Sequence, residues 1–134
     1  MNVFIVDDSI LIRERLTGVI HELPFAEIVG QAGDMRQAVE GIERLRPDVV
    51  LLDIRLPGGS GLDILQTIRA SYPEMKVVIL TNYSFPQYRE RAGELGADAF
   101  LEKALEFEKI MGVLEKLNSD LPRAPGNEYS QKNT

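Results

Sequence analysis

The sequence contains no cysteine, which removes disulfides, thiolate catalysis and cysteine-ligated zinc together. Histidine is nearly absent too. His21 is the only one, it has no ligand partners at useful spacing, and it reads as a surface residue near the end of a helix, where the dipole favours it. Basic residues are outnumbered, 15 Lys and Arg against 21 Asp and Glu, and the net charge of -6 has the wrong sign for a partner held through its phosphates. No direct nucleic-acid binding is expected. No apolar run approaches bilayer length, and the opening MNVFIVDDS lacks a basic leader and a small-residue cleavage site, so the expectation is a soluble, cytoplasmic chain without membrane contact. What remains is an ordinary globular composition, 44% apolar and 27% charged over 134 residues, enough for one domain with a real core.

Four short apolar runs, Val3 to Val6, Val49 to Leu52, Val77 to Leu80 and Ala99 to Leu101, are too short for helices and mostly β-branched. Their hydrophobicity is continuous rather than alternating, as a parallel sheet covered on both faces requires. Glu27 to Gln31 is more mixed and reads as an edge strand. Between the runs the period becomes helical: Ile12, Leu16, Val19, Ile20 and Leu23 share a face, as do Met35, Ala38, Val39, Ile42 and Leu45. The spacing recurs in Leu62, Leu65 and Ile68, and in Phe107, Ile110, Met111, Leu114 and Leu117. A less regular helix from Pro86 to Leu95 is the most solvent-facing. Five strand and helix alternations predict a doubly wound α/β fold, flavodoxin-like, with a five-stranded parallel sheet of order 2-1-3-4-5 and five helices. The expected domain covers residues 1–118. Residues 119–134, polar with two prolines after Leu121, predict a flexible tail.

In such a sheet the functional crevice lies outside the carboxyl ends of the strands. The first strand ends in Asp7 and Asp8, the third in Asp53 and the fourth in Thr81, and Lys103 follows the fifth. Two like charges 4 Å apart cost roughly 4 kcal/mol at an effective dielectric near 20, so three crowded carboxylates need neutralising. Lys103 supplies one positive charge and an oxygen-preferring divalent ion two, which balances the three acids; Mg²⁺ suits a site of few carboxylates, waters and a phosphate oxygen. Each Asp taken alone could be a helix cap or turn residue, Thr81 a strand end and Lys103 a solvated helix start. The glycines Gly58, Gly59 and Gly61 lack nucleotide-loop spacing and read as a turn into the third helix, while the runs RERL and YRERAGE read as solvated helix faces.

The acidic pair Asp7-Asp8, Asp53 in DIRLPGGSG, Thr81 in VVILTN and Lys103 in GADAFLEK together resemble the receiver domain of two-component response regulators, over Asn2 to about Asn118. LTNYSFPQYRER and KALEFEKI are most similar to receivers of regulators with helix-turn-helix output domains, although no output domain follows here. The resemblance implies that Asp53 accepts a phosphoryl group from the phosphohistidine of a histidine kinase or histidine phosphotransfer protein. It implies Mg²⁺ bound directly by Asp8 and Asp53, through water by Asp7, and by the backbone carbonyl of Arg55. Thr81 and Lys103 would contact the phosphoryl oxygens, and Phe100 would be the aromatic that rotates behind Thr81 to alter a protein-binding surface, with phosphorylation-dependent dimerisation as one outcome. The chain would be a signalling phosphoacceptor rather than an enzyme, assisting its own phosphorylation and dephosphorylation. Three departures stand out. Ala104 replaces the proline that often follows the conserved lysine, which predicts a trans peptide there. Phe100 lacks the hydroxyl of the commoner tyrosine. Asn82 stands where many relatives have a smaller residue, and either narrows access or orients water. The alternatives are the receiver part of a DNA-binding regulator, a phosphate-independent scaffold, and an aspartyl-phosphate hydrolase, the last opposed by Arg55 where a second acid is usual.

Overall fold

The computed structural model describes residues 1–122. In chain order the elements are β1 (Asn2–Val6), α1 (Ile10–His21), β2 (Glu27–Ala32), α2 (Met35–Leu45), β3 (Val49–Leu52), β4 (Arg55–Leu56), β5 (Gly59–Ser60), α3 (Gly61–Ser71), β6 (Lys76–Thr81), α4 (Pro86–Glu94), β7 (Ala99–Glu102), α5 (Lys103–Glu106), a 3-10 turn (Phe107–Lys109) and α6 (Ile110–Asp120). Five strands form one parallel sheet of order β2-β1-β3-β6-β7, which is the expected 2-1-3-4-5 winding of the five principal strands.

Successive residues of each central strand enter opposite cores, which explains the unbroken apolar runs. Val3, Ile5, Val49, Leu51, Val78 and Leu80 pack with Leu16 and Ile20 of α1 and with Ile110 and Leu114 of α6. Phe4, Val6, Val50, Leu52, Val77 and Ile79 pack on the other side with Ala38 and Ile42 of α2, Ile64, Leu65 and Ile68 of α3, and Ala92 of α4. Three helices start on side-chain caps: Ser9, Asp34 and Ser60 accept from the amides of Ile12, Gln37 and Leu62. The α4 helix begins instead with Pro86 at its first turn, and Ala92 is its one buried residue, in line with the weak apolar period of this stretch.

Three details differ from expectation. The glycine-containing turn after Asp53 is organised as a small antiparallel hairpin, with Arg55 opposite Ser60 and Leu56 opposite Gly59. The fifth helix is broken into α5, the 3-10 turn and α6: α5 is a single turn, too short for an apolar period to register, and the periodic pattern starts only at buried Phe107. Ser119 and Asp120, placed in the expected tail, still belong to α6. Residues 123–134 of that tail lie outside the described residues. No helix among the described residues is long and apolar enough to cross a membrane.

Two helical glycines have opposite surroundings. A Cβ at Gly41 would lie 2.5 Å from the ring of Phe4, which is locked in the core, whereas one at Gly18 would meet nothing within 4 Å. Gly41→Ala should therefore lower stability by about 1–3 kcal/mol through overpacking. Gly18→Ala should raise it by about 0.5–1 kcal/mol through helix propensity. Denaturant midpoints at unchanged slope check both signs.

Candidate functional site

Parallel winding brings Asp7, Asp8, Asp53, Thr81 and Lys103 to one end of the sheet. Asp7 and Asp53 continue β1 and β3, and their amides remain tied to the neighbouring strands, Asp7 N–H to the Ala32 carbonyl and Asp53 N–H to the Val6 carbonyl, both at 3.0 Å. The backbone thus fixes both Cα atoms before any side-chain contact forms. One carboxylate oxygen of Asp7, Asp8 and Asp53 lies within 4.8 Å of the others, with Asp7 and Asp53 buried and Asp8 exposed. That is a set of hard oxygen donors of the kind Mg²⁺ selects.

The Lys103 ammonium lies between the two buried acids. Its Nζ is 2.6 Å from Asp7 Oδ2 and 2.6 Å from Asp53 Oδ2. The remaining oxygens are also occupied: Asp7 Oδ1 accepts from the Ser9 amide at 2.9 Å and Asp53 Oδ1 from the Ile54 amide at 2.7 Å. Burial pushes the Asp7 carboxyl above its ordinary value, against the opposing pull of Lys103 and the Ser9 amide. Burial also penalises the Lys103 ammonium, but its two carboxylate partners more than offset this and its pKa stands above the ordinary value. The peptide before Ala104 is trans, as every described peptide is, and Lys103 still reaches into the pocket.

Thr81 closes β6 and is fully buried. Leu52 pairs with Ile79, so Thr81 stands one step beyond the level of Asp53 on the neighbouring strand. Its Oγ1 accepts from the Tyr83 amide at 3.1 Å, leaving the hydroxyl proton free to donate. Phe100 is half-buried on β7 opposite Ile79, beside the second core. Arg89 lies 4.5 Å from the Phe100 ring centroid, donates to the Phe100 carbonyl at 3.2 Å and pairs with Glu106 at 3.4 Å. Glu106 also accepts from the Glu102 amide, the main reason its pKa is lowered.

Several of these partners were hidden in the sequence. Arg13 and Arg89 belong to runs read as solvated helix faces, yet Arg13 donates to the Asp7 carbonyl and Arg89 clasps Phe100. Arg15 lies over the ring of Phe107 at 4.0 Å. Glu14, Arg15, Arg89, Glu90, Arg91 and Glu94 are exposed as expected, and the long arginine side chains still lay their stems along the protein and reach groups distant in sequence. Ser9 had a legible signal, a serine just before an amphipathic run. Between the segments that follow Asp53 and Thr81, Arg55 reaches Tyr83, with Nη1 3.4 Å from the phenol oxygen and the guanidinium 4.8 Å from the ring centroid. No spacing rule joins those two residues. His21 is exposed at the end of α1, away from the acids, as expected.

Comparison with known proteins agrees with this geometry. The family model "Response regulator receiver domain" matches residues 3–115. The transcriptional regulatory protein PdtaR of Mycobacterium tuberculosis is 37% identical over 113 residues, covering 84% of this chain and 54% of that protein. A DNA-binding response regulator of the LuxR family from Staphylococcus aureus superposes with a TM-score of 0.81 at 31% identity, covering 87% of this chain and 98% of that one. The CheX–CheY–BeF3–Mg complex of Borrelia burgdorferi gives a TM-score of 0.81 at 27% identity, covering 87% of this chain and 88% of that one. The chain spans about half the length of the curated regulators it matches.

Lys103→Met leaves two carboxylates buried without their cation, and should lower stability by about 3 kcal/mol at pH 7. The loss should shrink on acidification, since Asp7 takes up a proton above the ordinary 3.8. In the wild type the raised pKa of Lys103 means that its contribution is complete below 10.5 and fades as pH rises through the folded-state value. Unfolding curves of both proteins across pH check this; equal stability at neutral pH would show that the triad contributes nothing.

Proposed function

The chain belongs to the response regulator receiver domain family, and from that membership we propose that Asp53 is its phosphoacceptor, taking a phosphoryl group from the phosphohistidine of a kinase or histidine phosphotransfer protein in the cytoplasm. An Asp53 carboxylate oxygen forms the O–P bond as the N–P bond of phosphohistidine breaks. The electron pair stays on the imidazole nitrogen, which takes a proton from solvent. The observation that carries the reading is the buried Lys103 shared by Asp7 and Asp53, with a third acid at their rim. A crowded anionic pocket with an internal cation is wasteful as a structural device. It is well suited to holding a transferable anion.

The donor set fits Mg²⁺, which Asp8, Asp53 and the Arg55 carbonyl would hold, with Asp7 acting through water; when bound, the ion supplies positive charge to the phosphoryl oxygens. Lys103 supplies a further charge-assisted donor and Thr81 its free hydroxyl proton to the same oxygens. Thr81 moving toward the phosphoryl group draws on the 82–85 loop through the Tyr83 amide, and Phe100 turns into the space behind it, away from Arg89. The surface of α4, β7 and α5 then changes and is read by another protein. Loss of the phosphoryl group to water in the same pocket resets the switch.

A protein donor is supported by the rim of the pocket. Ile10 and Leu11 after β1, Phe85 after β6 and Leu105 after β7 are large apolar side chains exposed by 58–73%, and all lie on segments leaving the same end of the sheet. Apolar anchors around a charged centre suit docking of a folded partner. A second reading, the receiver part of a DNA-binding transcription regulator, is favoured by the half-length match to curated regulators, among them the DNA-binding transcriptional activator DevR/DosR of Mycobacterium tuberculosis. The length of the natural reading frame separates the two.

Incubation with a small phosphodonor and Mg²⁺, followed by intact mass measurement, should add one phosphoryl group to the wild type and none to Asp53→Asn. Labelling of Asp53→Asn at the wild-type rate would reject the assignment.

A further inference from the structure

A cluster of carboxylates is not by itself a selective cation site. Donors free to shift apart accept Ca²⁺, which takes six to eight oxygens at about 2.3–2.6 Å, as readily as Mg²⁺, which demands a near-octahedral set at about 2.0–2.1 Å. Selectivity for the smaller ion depends on how firmly the donors are held. The Asp7 carboxylate is held by Lys103 and by the Ser9 amide. Asp8 is exposed, and its place follows from the backbone that carries it.

The peptide that joins the two acids has a restraint of its own. The Arg13 guanidinium donates from Nη1 to the Asp7 carbonyl. That carbonyl and the Asp8 amide form one rigid plane, so the contact fixes the base from which the Asp8 side chain projects. Two strands build the seat. Asp7 N–H is tied to the Ala32 carbonyl at the end of β2 at 3.0 Å, and the next residue, Gly33, leaves the guanidinium its room, since a Cβ there would lie 3.0 Å from Arg13 Nη1. The Gly33 amide donates to Gln37 Oε1 at 3.1 Å, which keeps the floor of the seat in place. Attraction does not explain the arginine. It is the fourth residue of α1, near the helix end where the dipole disfavours a cation, and its charge repels the ion that the neighbouring acids would bind. A half-buried guanidinium directed at a neutral carbonyl, under both penalties, is an orienting group.

We propose that Arg13 is a positioning residue that makes the acidic pocket selective for Mg²⁺ over Ca²⁺, by locking the Asp7–Asp8 peptide over Gly33. This rests on the divalent-cation reading above and deepens it. The two effects of the side chain on the site have opposite signs. Loss of its charge favours binding of either ion, whereas loss of its hold on the peptide weakens binding, and weakens it most for the ion with the stricter geometry.

The test is calorimetric titration of MgCl₂ and, separately, CaCl₂ into the whole chain and into Arg13→Ala, Arg13→Lys and Gly33→Ala. The wild type should prefer Mg²⁺. Arg13→Ala should lose Mg²⁺ affinity on the order of tenfold, as loss of a group that orients a ligand typically does, and Ca²⁺ affinity by much less, so that the preference falls. Arg13→Lys should recover part of the loss, because it returns the charge and one donor without the planar fork. Gly33→Ala displaces the guanidinium while Arg13 remains, and should shift the preference in the same direction by a smaller factor; it decides the matter if circular dichroism shows Arg13→Ala to be unfolded. A wild type without preference, an Arg13→Ala that binds Mg²⁺ as tightly as the wild type or more tightly, or equal losses for the two ions would overturn the proposal while leaving the divalent-cation reading intact. A wild type that binds neither ion would remove both.

Discussion

One ammonium group shared between two buried carboxylates governs this molecule. Lys103 Nζ sits at 2.6 Å from both Asp7 and Asp53, in a region where an unpaired charge of either sign is costly. Each of the three groups justifies the burial of the other two, although two carboxylates outnumber the one ammonium and leave the trio negative. That remaining negative charge, with Asp8 exposed beside it, is what the proposed divalent cation would offset and what the proposed phosphoryl group on Asp53 would disturb. The same crowding that makes the pocket a poor source of stability makes it responsive to charge.

The fold holds that balance in place from below. Three of the charged groups sit where strands end, and the amides of Asp7 and Asp53 are still bonded to neighbouring strands, so the carboxylates project from a rigid base. Gly61 contributes from the side. Its amide donates to the Ile54 carbonyl, and a Cβ there would collide with the Asp53 carbonyl, so only glycine lets α3 start this close to the loop. Above the base the side-chain restraints weaken. The side chains of Arg55 and Tyr83 meet through a ring contact and one long hydrogen bond, Tyr83 and Phe85 meet Tyr88 ring to ring, and α4 buries only Ala92. A rigid floor under a loosely held rim lets a local change of charge become a change of surface.

The central part of this arrangement was legible in the sequence because it depends on chain order. Apolar runs fix the strands, right-handed winding fixes the sheet order, and the sheet order carries Asp7, Asp8, Asp53, Thr81 and Lys103 to one end. The illegible part is made of long side chains crossing between segments. Arg13 on the Asp7 carbonyl, Arg89 on Phe100 and Arg55 on Tyr83 join residues 6, 11 and 28 positions apart, and no periodicity links them. The broken fifth helix escaped for another reason: a single turn at Lys103–Glu106 is shorter than the window that reveals an amphipathic period.

If the acids are poised for a cation, the unmodified protein must already bind one. Calorimetric titration of Mg²⁺ into the wild type and Asp8→Asn is the most direct measurement, because Asp8 is the exposed acid and its loss leaves the Lys103 triad whole. The account predicts one saturable site in the wild type and a large loss of affinity in the variant. No saturable binding to the wild type, or equal binding by the two proteins, would contradict it.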